Sequence, residues 1–353
     1  MIKCLYWILA GLAALSIVVI VGGWLLLRGP DIPFETLRTK YAGPDDHFVD
    51  LPGSVTAHYR EQGRADAPPI VLLHGYGDSY ATWERWGGRL KGQFRVISLD
   101  LPGHGLTQAP DDYQPDAVAY AALLDAFAER LKLPPFALVG NSMGGAVAWQ
   151  AAVRYPDRLN ALVLLAAAGK AVPDMGKSPS LAFRILQYPL GRWALEHIDN
   201  RPLILQGLKA EVFDANAIGD AFVDRWAEYQ RLPGHRRILM SMRPGSHLLA
   251  SAETLAAIRV PTLVIHGAAD TLIPVDSSRQ FAAEIAGAKL IVYPDSGHLP
   301  QWEVAEKSAR DVADFLAATV VKPVSAGVQY DPNGPRAGDL GHPSRDVRRG
   351  SRR

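Results

Sequence analysis

The sequence contains one cysteine, Cys4, among 353 residues. An intramolecular disulfide is therefore excluded, and so is any metal or redox site that needs a pair of cysteines. The chain also lacks an excess of charge of either sign, because 37 basic and 36 acidic residues nearly cancel. A protein of near-zero net charge has no general electrostatic reason to bind nucleic acid or an acidic polymer. We accordingly expect no nucleic-acid partner.

Charged residues are absent from one long stretch near the N-terminus. The run Leu5–Leu27 is apolar and uncharged, and as a helix it would extend roughly 35 Å, enough to cross the hydrocarbon core of a bilayer. A cleaved signal peptide is the alternative, but its apolar part is usually only about 7–15 residues long. The pattern favours a transmembrane anchor at 5–27. Lys3, which precedes the run, favours a position of the following chain on the non-cytoplasmic side.

After this run, apolar segments rich in β-branched residues alternate with segments of helical periodicity. The alternation predicts an α/β fold with a mainly parallel, doubly wound sheet over about 46–320. Within it, the region of about 170–257 shows no strand pattern and carries aromatic residues at helical spacing, which predicts a helical cap over the strand ends. The segment 322–353 is rich in Gly, Pro, Ser and Arg, and we expect a disordered basic tail. Strands are predicted at 55–60, 69–73, 94–99, 136–139, 159–165, 262–266 and 289–293.

The segment Gly140-Asn-Ser142-Met-Gly144 places a serine between two glycines. A predicted strand precedes it and a predicted helix, 146–154, follows, which is the context of a nucleophilic serine. Glycine at both flanking positions relieves the crowding of such a sharp turn. The helix also directs its N-terminal amides toward charge that develops at the serine. We therefore predict that Ser142 is a nucleophile.

A serine hydroxyl becomes a good nucleophile when a base takes its proton, and that base is usually a histidine. His298 lies in the loop between the last predicted strand and the last predicted helix, where α/β sheets place functional groups. Asp270 follows the preceding strand, and we predict that it orients the histidine and stabilises its protonated form. Asp276 and Asp295 are competing candidates for the acid.

Two backbone N–H groups are predicted to bind the oxyanion of a tetrahedral intermediate. One belongs to Met143, which follows the nucleophile. The other belongs to Tyr76, in the glycine-rich loop His74-Gly-Tyr-Gly77 after a predicted strand. Because acyl transfer by such a triad uses side chains and backbone amides alone, no cofactor and no metal are expected.

Taken in this order, the segments resemble the α/β-hydrolase family, and the resemblance covers about residues 46–320. It implies the α/β-hydrolase fold with a helical cap. The Asn-Ser-Met-Gly-Gly turn, together with an N-terminal anchor, is similar to membrane-associated bacterial lipases and esterases and to monoacylglycerol lipases. The segments that carry the resemblance are His74-Gly75, Asp100-Leu-Pro-Gly-His-Gly105, Gly140-Asn-Ser-Met-Gly-Gly145, Pro261 to Asp270 and Gly297-His298.

A second resemblance points to a different reaction. The segment His298-Leu-Pro-Gln-Trp-Glu303 is similar to the end of the meta-cleavage-product hydrolases, which break carbon–carbon bonds with the same triad.

The sequence favours a serine-dependent carboxylic ester hydrolase that forms an acyl-enzyme. Its substrate would be a small-molecule or lipid ester, acylglycerols included, and its N-terminal helix would hold it at a membrane. A carbon–carbon hydrolase and a non-catalytic receptor on the same fold are the alternatives.

Overall fold

The computed structural model describes residues 2–173, 180–242 and 249–320. Over these residues the strands form one eight-stranded sheet in the order β1-β2-β4-β3-β5-β6-β7-β8. β2 is antiparallel to both of its neighbours, and all the other pairs are parallel. The mainly parallel sheet predicted from the sequence is thus confirmed. The strands are β1 Asp46–Leu51, β2 Val55–Gln62, β3 Pro69–Leu73, β4 Arg95–Leu99, β5 Phe136–Asn141, β6 Leu159–Leu165, β7 Thr262–Gly267 and β8 Lys289–Tyr293.

Helices cover both faces of this sheet, so the central strands are buried on both sides and consist of almost continuous apolar residues. On one face α4, α5 and α12 pack through Phe127, Val147 and Phe281. On the other face α3 and α14 pack through Trp86 and Leu316. The helices are α1 Ile2–Leu27, α2 Phe34–Tyr41, α3 Glu84–Leu90, α4 Ala117–Arg130, α5 Met143–Arg154, α6 Leu181–Leu186, α7 Pro189–His197, α8 Arg201–Glu211, α9 Asp220–Gln230, α10 His235–Ser241, α11 Ala252–Ala256, α12 Asp276–Glu284, α13 Pro300–Glu303 and α14 Ala305–Thr319.

The helices α6 to α10, between β6 and β7, form the cap. Their apolar residues pack against one another and against the segment that leads into α14. The ring of Phe222 lies 4.3 Å, centroid to centroid, from that of Trp302, and Leu208 belongs to the same buried cluster. This contact fixes the cap above the carboxyl ends of the parallel strands, which is where α/β sheets bind ligands.

The segment before β1 is more than a linker, which the sequence pattern did not show. The carbonyl of Leu27 accepts a hydrogen bond from the Asp199 amide at 2.8 Å, and the Ile32 amide donates to the carbonyl of Arg231 at 2.7 Å. Arg236 adds an ion pair with Asp31 at 2.7 Å. The N-terminal segment 27–32 is therefore bonded to the cap. It continues into α2, which packs beside β1.

The apolar run predicted to span a membrane, 5–27, falls within α1. Within the described residues, no helix combines the length and the apolarity that crossing a bilayer requires. The predicted transmembrane segment is thus not supported. The basic tail predicted at 322–353 lies outside the described residues.

Candidate active site

Ser142 lies on the turn between β5 and α5. Its backbone has φ 54° and ψ −114°, a conformation that costs energy for any residue with a Cβ atom and marks functional turns. The flanking glycines make the turn possible. A Cβ atom on Gly140 would lie 2.1 Å from the carbonyl oxygen of Gly144, and one on Gly144 would lie 2.3 Å from that of Leu73. Glycine is required at both positions because any larger residue would clash with backbone.

His298 and Asp270 form a hydrogen-bonded pair. Nδ1 of His298 lies 2.7 Å from Oδ2 of Asp270, and both side chains are buried. The other carboxylate oxygen of Asp270 accepts the amides of Leu272 and Ile273 at 2.8 and 2.9 Å. The acid is therefore held by its own loop, and it orients the imidazole so that Nε2 is the nitrogen left to exchange protons.

The two charges stabilise each other inside the protein. Burial raises the pKa of Asp270, but the neighbouring His298 and His266 lower it by more, so that the pKa lies below its ordinary value. Burial lowers the pKa of His298, and the Asp270 carboxylate outweighs this and raises it. The arrangement favours an imidazolium next to a carboxylate, which is the state that proton transfer from a serine would create.

Ser142 and His298 line one cavity beneath the cap. Ser142 is 9% exposed and His298 is 3% exposed, so the cavity gives both side chains limited access to solvent. No hydrogen bond joins the Ser142 hydroxyl to the imidazole within the described residues, and such contacts often tighten only when substrate binds. The structure thus brings Ser142, Asp270 and His298 to the same site, at the carboxyl ends of β5, β7 and β8.

The predicted oxyanion donors lie around the same cavity. Met143 is the first residue of α5, so its amide is one of the N–H groups that a helix leaves without a partner. Tyr76 lines the cavity beside Gly75. The hydroxyl of Tyr76 donates to the carbonyl of Leu239 in the cap at 3.0 Å, which fixes the loop that carries its amide.

The competing acids lie elsewhere. Asp276 is exposed and paired with Arg279 at 2.7 Å, and Asp295 is exposed on the turn after β8. His74, the first residue of the Tyr76 loop, accepts the Leu101 amide at Nε2. Its ring stabilises the loop and leaves no free nitrogen, since Nδ1 contacts the carbonyl of Gly75 at 2.8 Å.

Sequence reasoning assigned no role to Glu303, which holds the His298 loop in place. Its carboxylate accepts the amides of Gly297, at 2.9 Å, and of Leu299, at 3.1 Å. It also accepts the Phe213 amide from the cap, at 2.6 Å. A glutamate five residues after the histidine was visible in the sequence, but nothing in the sequence shows that three backbone donors converge on it.

Glu211 is another residue that the sequence did not indicate. It is the last residue of α8, is 6% exposed and lines the cavity with Ser142 and His298. Its main-chain carbonyl accepts the amide of His298 at 2.7 Å. Burial raises the pKa of its carboxyl to about 7. Within the described ranges no group of side chains has the composition of a metal site.

Comparison with known proteins agrees with this geometry. The family model described as the alpha/beta hydrolase fold matches residues 68–305. The chain belongs to the α/β-hydrolase family. Among its relatives, 2-hydroxymuconate semialdehyde hydrolase of Pseudomonas sp. (strain CF600) is 32% identical over 70% of this chain and 87% of the relative. The 2-hydroxy-6-oxo-6-phenylhexa-2,4-dienoate hydrolase of Burkholderia cepacia is 29% identical over 74% of this chain and 91% of its own.

Solved structures give a second view of the family. A membrane phospholipase A described as a bacterial virulence factor superposes with a TM-score of 0.66 at 22% identity, over 91% of this α/β-hydrolase and 100% of that chain. A meta-cleavage product hydrolase from Pseudomonas fluorescens IP01 gives a TM-score of 0.67 at 25% identity, over 77% and 97% of the two chains. Lipid and carbon–carbon hydrolases thus share this fold, and fold alone does not choose between them.

Proposed function

We propose that this α/β-hydrolase is a serine-dependent carboxylic ester hydrolase that acts through an acyl-enzyme. His298 takes the proton of Ser142 as the hydroxyl attacks the ester carbonyl, and the amides of Tyr76 and Met143 bind the oxyanion. His298 then gives the proton to the leaving alcohol. A water molecule, deprotonated by His298, attacks the carbonyl of the acyl-enzyme. The bond between the acyl group and Ser142 then breaks, the acid leaves, and His298 returns the proton to the serine. Asp270 stabilises the imidazolium in both halves of the reaction.

The observation that carries this proposal is the charge of the cavity wall. The described residues that line the cavity include two carboxyl groups, those of Asp78 and Glu211, and neither a lysine nor an arginine. A dienoate substrate of a carbon–carbon hydrolase brings a carboxylate, whose burial without a cation costs several kcal/mol. Arg192 lies near Tyr76, but it donates to the carbonyl of Leu186 at 2.9 Å and is absent from the described lining. A neutral ester fits this wall better.

Much of the remaining wall is apolar. Phe183, Leu186, Leu203 and Leu208 from the cap, with Leu299 from the His298 loop, face the same space as Ser142. Burial of an acyl chain against such side chains contributes about 0.8 kcal/mol per methylene. We therefore propose a lipophilic acyl group, acylglycerols included, as the acid part of the substrate.

Parallel assays test the proposal. Purified protein is given medium-chain nitrophenyl esters and, separately, a dienoic ring-fission product, and kcat/KM is measured for each. Turnover of the esters with little turnover of the dienoate supports ester hydrolysis, and the opposite ratio contradicts it. Labelling by a fluorophosphonate, lost in Ser142→Ala, separates an enzyme from a receptor that only kept the fold.

The second candidate, a carbon–carbon hydrolase of the meta-cleavage-product type, is favoured by the relatives. The two named above, which are 29–32% identical to this chain, are named as hydrolases of a dienoate and of a semialdehyde. The dienoate arm of the same assay decides for or against it.

Attachment to a membrane stays a prediction of the sequence. Fractionation of cells that produce the full chain, or the chain without residues 1–28, measures it directly. We expect the full chain with the membranes and the shortened protein in the soluble fraction, active on soluble esters. Recovery of both proteins in the soluble fraction would contradict the prediction.

A further inference from the structure

The cavity contains a buried carboxyl group that neither the triad nor the oxyanion site uses. Glu211 is 6% exposed, and among residues 2–173, 180–242 and 249–320 its carboxyl group takes part in no hydrogen bond or ion pair. A buried carboxyl without a partner costs free energy, so its presence in a cavity indicates a ligand group that completes it. Asp78, the other acid of the wall, accepts the Ser79 amide at Oδ1, at 2.7 Å, while its buried Oδ2 has no partner among the described residues. Asp78 lies on the loop of Tyr76, whereas Glu211 lies against the loop of His298.

The backbone fixes where Glu211 stands. Its carbonyl accepts the His298 amide at 2.7 Å, and a Cβ atom on Gly297 would lie 2.2 Å from that same carbonyl oxygen. The end of α8 is thus in close contact with the loop that carries His298, the proposed base. Because His298 delivers its proton to the leaving oxygen, a side chain held beside His298 lies on the leaving-group side of the cavity.

The position of Glu211 in its helix suits a neutral or hydrogen-bonding ligand better than a cation pair. As the last residue of α8 it stands at the negative end of the helix dipole, which disfavours an ionised carboxyl. Burial acts in the same direction and raises the pKa of the group to about 7. Near neutral pH the carboxyl can therefore both donate and accept hydrogen bonds. A hydroxyl group, which also does both, is its natural partner.

Resting on the proposed ester hydrolysis, we propose that Glu211 binds a free hydroxyl of the leaving alcohol, so that the enzyme prefers esters of glycerol or a similar polyol to esters of simple alcohols. The side chain acts as a specificity residue. Ser180, whose hydroxyl oxygen and the Glu211 carboxyl lie 2.8 and 3.8 Å from the Cβ position of Gly207, brings a second polar group to the same part of the wall.

Two esters of one medium-chain acid, the 1-glyceryl ester and the methyl ester, test this. The wild type is compared with Glu211→Leu, Glu211→Gln and a control, Glu129→Gln, whose side chain is exposed on α4. We expect the wild type to favour the glyceryl ester. Glu211→Leu should lose about tenfold to a hundredfold in kcat/KM on the glyceryl ester and keep its activity on the methyl ester. Glu211→Gln, which still hydrogen-bonds, should lose less, and the control should match the wild type.

The outcomes separate this inference from the proposed function. Equal kcat/KM of the wild type on the two esters overturns the role of Glu211 and leaves ester hydrolysis standing. Equal losses of Glu211→Leu on both esters also overturn it, because the residue would then act on His298 or on the fold. If Glu211→Leu does not fold, the ratio of the two esters for Glu211→Gln gives the same decision. Absence of turnover of either ester by the wild type instead defeats the proposed function itself.

Discussion

Among the described residues, two of the buried contacts between a histidine and an aspartate have almost the same geometry. His298 and Asp270 lie 2.7 Å apart, and His58 and Asp100 lie 2.6 Å apart. The surroundings differ. The second nitrogen of His298 faces the cavity that holds Ser142, whereas that of His58 contacts Asp46 at 3.1 Å. A histidine enclosed by two carboxylates has no nitrogen for a substrate, so its charge can serve stability alone. What distinguishes His298 from His58 is therefore its free ring nitrogen, and not its contact with an aspartate.

Loss of the Ser142 hydroxyl or of the His298 imidazole should have the largest effect. We expect Ser142→Ala and His298→Ala each to lower kcat on a nitrophenyl ester by about 10³-fold or more, because the nucleophile or its base is lost. Stopped assays on purified protein measure this. A matched substitution in the other pair, His58→Gln, should leave kcat near that of the wild type. A large loss of kcat in a folded His58→Gln protein would break the distinction between the two pairs.

Asp270→Asn should lower kcat by about 10²-fold to 10³-fold, because an amide neither stabilises the imidazolium nor fixes the useful tautomer. The exposed positions of Asp276 and Asp295 leave no second carboxylate to replace it. The variant should also show a lower pKa for His298, since Asp270 raises that pKa, and the acid limb of kcat/KM should move to lower pH. A kcat within about threefold of that of the wild type would rule out Asp270 as the acid.

His58→Gln should instead lower the free energy of unfolding by roughly 3 kcal/mol, because Asp100 would stay buried without its cation, whereas Asp46 would keep Arg60. Burial lowers the pKa of His58, and the two carboxylates raise it by more, above its ordinary value of 6.5. The stabilisation is therefore complete below pH 6.5 and is lost as the pH rises through the higher pKa of the folded state. Urea unfolding of both proteins at pH 6 and pH 9 measures this. A difference that grows with pH would contradict the charge assignment.

The two acids that contact His58 titrate in the opposite sense, so their contribution to stability is lost at low pH. Burial raises the pKa of Asp46 and of Asp100, but His58, together with Arg60 at Asp46 and with backbone amides at both acids, lowers it by more, below the ordinary value of 3.8. Their contribution is thus present above pH 3.8 and is lost as the pH falls through the lower pKa of the folded state.

The smallest expected effect concerns Glu211. Its carboxylate raises the pKa of His298, so Glu211→Gln should move the acid limb of the methyl-ester profile to lower pH by less than Asp270→Asn does. The corresponding profile of Glu129→Gln should overlay that of the wild type. An acid limb that overlays that of the wild type would show that the Glu211 carboxyl does not carry negative charge beside the imidazole.

Much of the fold, and the residues proposed to react, could be predicted from the sequence, because the sequence patterns that indicate them are local. Central strands such as Pro69–Leu73 are continuous apolar runs, and the turn at Ser142 carries its own glycines. The edge strand β1 was missed because most of it is only partly buried or exposed, and its acids, Asp46 and Asp50, interrupt the apolar pattern. Helix α2 was missed because its sequence lies among prolines, and its lysine and tyrosine are paired with Glu228 in the distant cap.

The residues missed at the site share one property. Glu303 and the main chain of Glu211 hold the His298 loop through backbone amides, and His266 is held by Ser278 and by the carbonyl of Ile273. No sequence motif encodes these contacts. Oδ2 of Asp270 lies 3.3 Å from Nε2 of His266, a ring that the sequence offered only as the end of a strand. Sequence motifs identify groups that react, whereas the groups that hold them are visible only in the folded molecule.

The hydrogen bonds between the segment 27–32 and the cap connect α1 to the part of the molecule that covers the cavity. The ring of Trp24 stacks on that of Trp193 in α7 at 5.8 Å, and the Gly29 amide donates to the carbonyl of His197 at 3.0 Å. A force or tether applied to α1 is therefore transmitted to α7 before it reaches the sheet. A displacement of α1 would therefore also change the position of the cap above the cavity of Ser142.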